Sequence, residues 1–229
     1  MAFSKHTICA LVNLLNTGKF DEFQNKYNKA FHLMDYEYDV QRDFEGVPGL
    51  IYISNFLDTE EVAYLQEFIS SLKFEPITSA ANSRRVAQYG YTYAYDRSGV
   101  TKTDPIPLDL CEMVSASKLN NLMRCNMVSS EFDQLIINEY TPGQQIAYHT
   151  DHIKQFDEVI ACVTVGQSVP IMFKLDDDVV KELDVKSGSM YIMTGDARYK
   201  WKHHLKNTGA ENRYSLTFRK VKNIEKITL

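Results

Sequence analysis

The chain has 229 residues, 44% of them hydrophobic, and carries a formal net charge of −5 with a pI near 5.7. That length accommodates one large domain, or one domain with an extension, and the composition is that of an ordinary globular protein without repeats or low-complexity runs. A net-negative chain has no global basic field for nucleic acid, so any such binding needs a local patch, and no apolar run approaches the length of a membrane span.

From Thr7 to about Phe31 the apolar spacing is helical. Ile8, Leu11, Val12 and Leu15 share one face, and Phe20, Phe23, Tyr27 and Phe31 continue the pattern after Gly18. Ile8 to Leu15 follows Lys5 and imitates a short signal-peptide core. Asn13 interrupts that core and no small-residue cleavage site follows, so an amphipathic helix is the better reading. Residues 1–45 are therefore expected to form a helical extension, with the acidic, tyrosine-rich Asp35 to Gly46 as connector, and residues 46–229 the main domain.

Val47 to Ile53 reads as a strand. Asp58 to Glu61 offers an N-cap with a carboxylate three residues on, and Val62, Leu65, Phe68, Ile69 and Leu72 form an apolar helix face behind it. A second helix is expected over Cys111 to Arg124. The stretch Arg84 to Tyr95 is headed by two arginines and carries four alternating tyrosines, a hairpin strand. Cross-strand tyrosines can simply cover a sheet face. Arginines beside aromatic rings are also the equipment of single-stranded nucleic-acid binders.

After Phe132 short strands follow at regular spacing: Gln134–Tyr140, Val159–Val165, Val169–Leu175, Val179–Leu183, Ser189–Met193 and Arg213–Lys220, with turns at Asp176-Asp177-Asp178 and Lys186-Ser187-Gly188. Helices first and antiparallel strands after predict an α+β fold, in which helices support one sheet of a jelly-roll sandwich. The four cysteines (Cys9, Cys111, Cys125, Cys162) are scattered and no Asn-x-Ser/Thr sequon is present, which favours a reducing, intracellular compartment and a soluble protein.

Chemistry concentrates in the last hundred residues. In Asn138 to Asp151 a strand breaks at Pro142-Gly143 and resumes with His149 and Asp151, which point the same way in an extended segment. His203 or His204 could complete a set of two imidazoles and one carboxylate. That set suits non-haem Fe(II) with positions left open, and zinc would accept it too. In the last strand Arg213, Ser215, Thr217 and Arg219 alternate with apolar Tyr214, Leu216 and Phe218. Two guanidiniums on an interior face require anions, and a bound dicarboxylate would supply them; an exposed face, or pairing with Asp and Glu, would account for the arginines as well, and taken alone is the better reading.

Taken together, Asn138-x-Tyr140-x-x-Gly143, His149-x-Asp151, Gly195-x-x-Arg198-x-x-Trp201-x-His203 and Arg213-x-Ser215-x-Thr217-Phe218-Arg219 resemble the AlkB-like Fe(II)/2-oxoglutarate dioxygenases. Val47-Pro48-Gly49-Leu50 and Arg84-Arg85-x-x-x-Tyr89-Gly90-Tyr91 look most like the eukaryotic branch that includes tRNA-modifying members. The resemblance implies a double-stranded β-helix. It also implies an iron triad of His149, Asp151 and His203, the last favoured over His204 by its place two residues after Trp201. Asn138, Tyr140, Arg213, Ser215 and Arg219 would hold 2-oxoglutarate, with O2 as second cosubstrate. Arg84, Arg85, Tyr89 and Tyr91 would contact substrate from a recognition lid.

The implied reaction is oxidative demethylation of bases in single-stranded DNA or RNA by a monomeric protein that needs no membrane. Bacterial repair members carry an aspartate two residues after the triad aspartate, where this chain has Ile153, so their base preference does not transfer. Two further readings stand beside this one. The first is an oxygenase of the same fold acting on a tRNA base, a protein or a lipid. The second is a non-catalytic, metal-stabilised nucleic-acid-binding module.

Overall fold

Strands that are apolar on both faces need a cover on each side, and the chain supplies one of strands and one of helices. The computed structural model describes residues 38–80, 83–95, 99–176 and 179–222, so the helices expected between Thr7 and Phe31 lie outside the described residues. The larger sheet has the order β1 (Val40–Arg42), β2 (Leu50–Ile53), β12 (Met190–Met193), β9 (Ile160–Gly166), β14 (Arg213–Arg219), β7 (Gln134–Tyr140), β4 (Arg85–Tyr89) and β3 (Glu75–Pro76). The smaller runs β11 (Val179–Val185), β10 (Val169–Leu175), β13 (Lys202–Lys206) and β8 (Gln145–His149), while β5 (Tyr91–Tyr93) and β6 (Val100–Lys102) pair apart. The two antiparallel sheets wind as a double-stranded β-helix, the jelly-roll form of an α+β fold.

Period-two alternation divides the core between two layers. From β9 and β14, Ala161, Val163, Val165, Leu216 and Phe218 pack towards the helices: α1 (Thr59–Ser70) with Leu65 and Ile69, α2 (Leu108–Met113) with Leu110, and α3 (Ala116–Met123) with Leu119 and Met123. Facing the smaller sheet, Ile160, Cys162, Tyr191 and Met193 meet Ile171, Phe173, Leu183 and Leu205. Each fully buried side chain of this size contributes about 2–3 kcal/mol. The capping box at the start of α1 forms: Glu61 N donates to Asp58 Oδ1 at 2.8 Å and Asp58 N to Glu61 Oε2 at 3.0 Å.

Three local expectations are corrected. The helix expected over Cys111–Arg124 is two helices. Ser115 takes an extended ψ of 146° and caps α3 by accepting from Lys118 N at 3.4 Å, which ends the first helix before it. Within the connector, Val40–Arg42 pairs with β2 and closes one edge of the larger sheet. The tyrosine stretch is not one strand, because Gly90 takes a φ of +74° and separates β4 from β5.

Gly90 is also a point of close approach, since a Cβ there would lie 1.8 Å from the carbonyl oxygen of Asp133. Gly90→Ala is expected to cost about 3 kcal/mol or more in urea unfolding, combining left-handed strain with the clash. At Gly143, where φ is +85° but nothing lies within 4 Å, the same change is expected to cost only about 1 kcal/mol.

Candidate metal and cosubstrate site

The site lies between the sheets, and each sheet supplies one part. On the smaller sheet, β13 pairs with β8 so that His203 stands directly opposite His149, with a register shift just beyond it. Their ring centroids are 4.2 Å apart, and Asp151 follows two residues after the end of β8. Candidate ligand atoms of His149, Asp151 and His203 all lie within 4.8 Å of one another. His204, the next residue of β13, is not part of this cluster. Its Nδ1 donates to the Ile146 carbonyl at 2.6 Å and its ring lies against Tyr148.

Each member of the triad presents a bare lone pair. His149 Nδ1 contacts the Ala147 carbonyl at 2.8 Å; a carbonyl only accepts, so this nitrogen carries the proton and Nε2 is left open. Burial pushes the His203 imidazole down to about 3, helped by neighbouring His149 against the pull of Asp151, so it is neutral. Burial also lowers His149. Asp151 is the reverse case. Burial alone would raise its carboxyl, but Arg219, followed by the two histidines, outweighs that and holds it well below the usual carboxylate range. Arg219 donates Nε at 2.8 Å and also Nη2 to Asp151 Oδ1, whereas Oδ2 is buried without a hydrogen-bond partner and lies 3.7 Å from His203 Nε2. Two neutral imidazoles and one unspent carboxylate oxygen are the donor set that divalent iron accepts.

The loop carrying Asp151 is held from behind. Arg198, buried on α4 (Gly195–Tyr199), donates to the carbonyls of Asp151 at 2.9 Å, Asp157 at 3.3 Å, and His152 and Phe156 at 3.4 Å.

The larger sheet faces this centre with the polar stripe. β14 pairs with β7 so that Arg213, Ser215, Thr217 and Arg219 stand opposite Tyr140, Asn138, Ile136 and Gln134, and opposed residues share a face. Arg213 is 0% exposed; Nη2 donates to Thr164 Oγ1 at 3.2 Å, while Nε and Nη1 have no partner, nor does the buried Ser215 hydroxyl. A buried guanidinium with two unspent N–H groups calls for an anion. Arg219 is largely committed, to Asp151 and, through Nη1 at 3.2 Å, to Gln134.

Asn138, Tyr140, Ser215, Thr217 and Arg219 line a cavity of about 310 Å³ that also contains the triad. Arg213 stands one register pair beyond Ser215, outside the lining. Arg84, Tyr93, Tyr95 and Phe156 line the cavity as well. Of the expected lid residues, Arg84 reaches the cavity, its guanidinium 5.5 Å from the Tyr140 ring centroid. Arg85 does not: it opposes Glu139 on the other face and pairs with it at 2.6 Å. Tyr89 lies against Phe68 in the helix layer, and Tyr91 packs on the Val100–Phe156–Val221 cluster. Gly90 divides Tyr89 from the later tyrosines, of which Tyr93, packed with Tyr91 on the same cluster, and Tyr95 also line the cavity. Thr164, the partner of Arg213, is a lone hydroxyl in an apolar strand, a signal the sequence does contain. Ile153 is exposed and away from the cavity.

The model of the 2OG-Fe(II) oxygenase superfamily matches residues 49–219. The chain belongs to that superfamily. Its AlkB-like character rests on relatives. It is 31% identical over 159 residues to tRNA (carboxymethyluridine(34)-5-O)-methyltransferase alkbh8 of Xenopus tropicalis, covering 68% of this chain and 25% of that protein. It is 23% identical over 210 residues to the Arabidopsis thaliana protein named Alkylated DNA repair protein ALKBH8 homolog, covering 78% and 60%. The chain thus spans about a quarter of the first relative's length. The solved structure of OsALKBH1 shares the fold with a TM-score of 0.62 at 16% identity, over 80% of this chain and all of that one. As a member of this superfamily the protein is an oxidoreductase that uses Fe(II), 2-oxoglutarate and O2.

His203→Ala is expected to weaken Fe(II) binding at least tenfold in anaerobic titration, and His204→Ala to leave it within about threefold. A pH effect follows from the neutral His203. Its folded pKa of about 3 lies below the ordinary 6.5, so as pH falls through 6.5 the unfolded chain gains a proton that the folded one refuses. Stability is lost in that window. Between pH 7.5 and pH 5 metal-free wild type should lose about 2 kcal/mol more than His203→Asn, measured by urea unfolding at each pH.

Proposed function

We propose that this AlkB-like oxygenase oxidises a C–H bond on a substituent of a nucleobase in single-stranded or loop RNA. The observation that carries the reading is the wall of Arg84, Tyr93 and Tyr95, which lines the same cavity as His149, Asp151 and His203. Aromatic faces beside a guanidinium hold a base by stacking and by hydrogen bonds to its edge, and such a base enters only when out of its stack. The relatives' names support the same class: one carries a tRNA uridine, another alkylated DNA.

In this reading His149, Asp151 and His203 hold Fe(II), while Asn138, Tyr140, Ser215 and Arg213 hold 2-oxoglutarate, its far carboxylate taking the unspent N–H groups of Arg213. When bound, iron, 2-oxoglutarate and O2 supply the oxidising power for the C–H bond. Arg219 keeps Asp151 ionised and fixes which oxygen faces the metal. Phe156 and Tyr93, in ring contact at 5.9 Å, shield the part of the cavity they line from water. Arg84 is 8% exposed with Nε unpartnered, which supports a contact with an acceptor on the base rather than a solvated phosphate. Oxidation of an N-methyl group releases formaldehyde and restores the base; oxidation of a carbon-linked substituent leaves an alcohol.

The test is a turnover panel of total tRNA and methylated RNA and DNA oligonucleotides with Fe(II), 2-oxoglutarate and ascorbate, with succinate and nucleoside masses read together. The expected result is a nucleoside gaining one oxygen or losing a methyl group, with RNA preferred. Arg84→Ala should lower that product at least tenfold. Turnover confined to a peptide or lipid, with every nucleoside unchanged, would overturn the proposal.

A further inference from the structure

Three hydrogen-bond donors line the cavity with their accepting atoms already spent or absent. His152, the residue after Asp151, lines it without belonging to the triad. Its Nδ1 lies 3.2 Å from the backbone nitrogen of Gln155; a backbone N–H only donates, so the ring proton of His152 is on Nε2. Tyr95 is the second donor. Its hydroxyl oxygen accepts from the Arg84 guanidinium, and burial raises its pKa, so the phenol keeps its proton and has it to give. Arg84 is the third, with Nε unpartnered and no lone pair to offer.

The charge of the cavity is as one-sided as its hydrogen bonding. Among the described residues Asp151 is the one carboxylate on the lining, and the histidines apart, Arg84 and Arg219 are its cations. Asp151 is fully engaged: one oxygen is on Arg219 and the other is the metal-facing atom. Iron(II) and 2-oxoglutarate carry equal and opposite formal charges, so loading the site adds no counter-anion. Arg84 is therefore a nearly buried cation that a second cation cannot approach without cost. His204 also lines the cavity, and since its Nδ1 donates to the Ile146 carbonyl, its Nε2 offers a lone pair. That lone pair can take an N–H but is no counter-ion. The hydroxyls of Tyr93 and Thr150 can turn either way and are uncharged.

Alkylated bases divide on the same two properties. An alkyl group on N1 of adenine or N3 of cytosine takes up a ring lone pair and leaves a cation with an amino donor beside it. On N3 of uracil or N1 of guanine it replaces a proton and leaves a neutral base with a carbonyl oxygen beside it. We infer that this cavity selects neutral, carbonyl-bearing bases of the uracil and guanine type and rejects cationic alkylated adenine and cytosine, with Arg84, Tyr95 and His152 as the discriminating contacts. Selection of this kind needs both halves, a match for the carbonyl and a repulsion for the cation. The inference rests on the nucleic-acid reading above and adds to it the class of base.

The experiment compares short single-stranded RNAs that differ in one central base. 3-Methyluridine and 3-methylcytidine have nearly the same shape, with the methyl group on the same atom, and differ in charge and in oxygen against amino group. 5-Methyluridine and 5-methylcytidine are both neutral and isolate hydrogen bonding from charge. Affinity is read by fluorescence anisotropy with Mn(II) and N-oxalylglycine in place of iron and 2-oxoglutarate, and oxidation by nucleoside mass with the active pair. Wild-type protein is expected to bind the 3-methyluridine RNA about tenfold more tightly than the 3-methylcytidine RNA and to oxidise it preferentially. For the neutral pair the preference should be about threefold. Arg84→Gln should shrink the first ratio to within about threefold, and His152→Asp, which adds a carboxylate, should bring the two RNAs to parity. Because each ratio is taken within one protein, a general loss of fold or of metal does not move it. Tyr95→Phe, outside the loop that carries Asp151, should narrow the neutral pair's ratio. Equal affinity of wild type for the two 3-methyl RNAs, or faster oxidation of the cytidine one, overturns this inference and leaves the proposed function standing. So do ratios that none of the three variants changes. Where only total tRNA is oxidised, an altered uridine or guanosine supports the inference and an altered adenosine or cytidine overturns it. Turnover confined to a peptide or lipid overturns both.

Discussion

A carboxylate enclosed in a β sandwich has to be matched by a cation, and here that match is Arg219 on Asp151. The bond crosses between the sheets, because Arg219 ends a strand of the larger one and Asp151 follows a strand of the smaller. It spends one oxygen of the carboxylate and leaves the other bare towards two neutral histidines. The ionisation of the centre, the direction of its open valence and the alignment of the two layers therefore rest on one guanidinium. The remaining polar atoms fall into place around it. Arg213, at the other end of the same strand, is the guanidinium left with unspent donors, and Ser215 and Asn138 stand between the two.

The sequence made the triad and the stripe legible because both are written in strand periodicity. His149 and Asp151 are two apart, and Arg213 to Arg219 alternate polar with apolar over a full seven-residue strand. What periodicity could not supply was the partner. Lys202–Lys206 reads Lys-His-His-Leu-Lys, has no apolar alternation, and is a strand only because β10 and β8 pair with it. Resemblance to the family, rather than local pattern, separated His203 from His204.

The tyrosine stretch shows the opposite failure. Four alternating tyrosines look like one strand with one outward face, and on that reading Tyr89 and Tyr91 belong with the arginines. A single left-handed glycine, pressed against the Asp133 carbonyl, breaks the count after Tyr89, which the helix layer takes; Tyr91 and Tyr93 pack on a separate small cluster, and Tyr93 and Tyr95 reach the cavity. The same arithmetic divides Arg84 from Arg85 by one residue: the first faces the site and the second pairs with Glu139 on the back. Backbone geometry, not residue type, decides which members of a repeated pattern reach the cavity. The split of the expected helix at Ser115 has the same origin, a capping residue overruling a continuous apolar face.

The loop after β8 has no strand ladder of its own, and Arg198 holds it through the carbonyls of Asp151, His152, Phe156 and Asp157. A guanidinium that grips only main-chain oxygens is indifferent to the side chains those residues carry. Ile153 and Lys154, exposed on that loop, can therefore be exchanged without disturbing the neighbouring ligand. The outer side of this loop is an interchangeable part on a fixed mount, and the surface there can be altered while the centre within stays as it is.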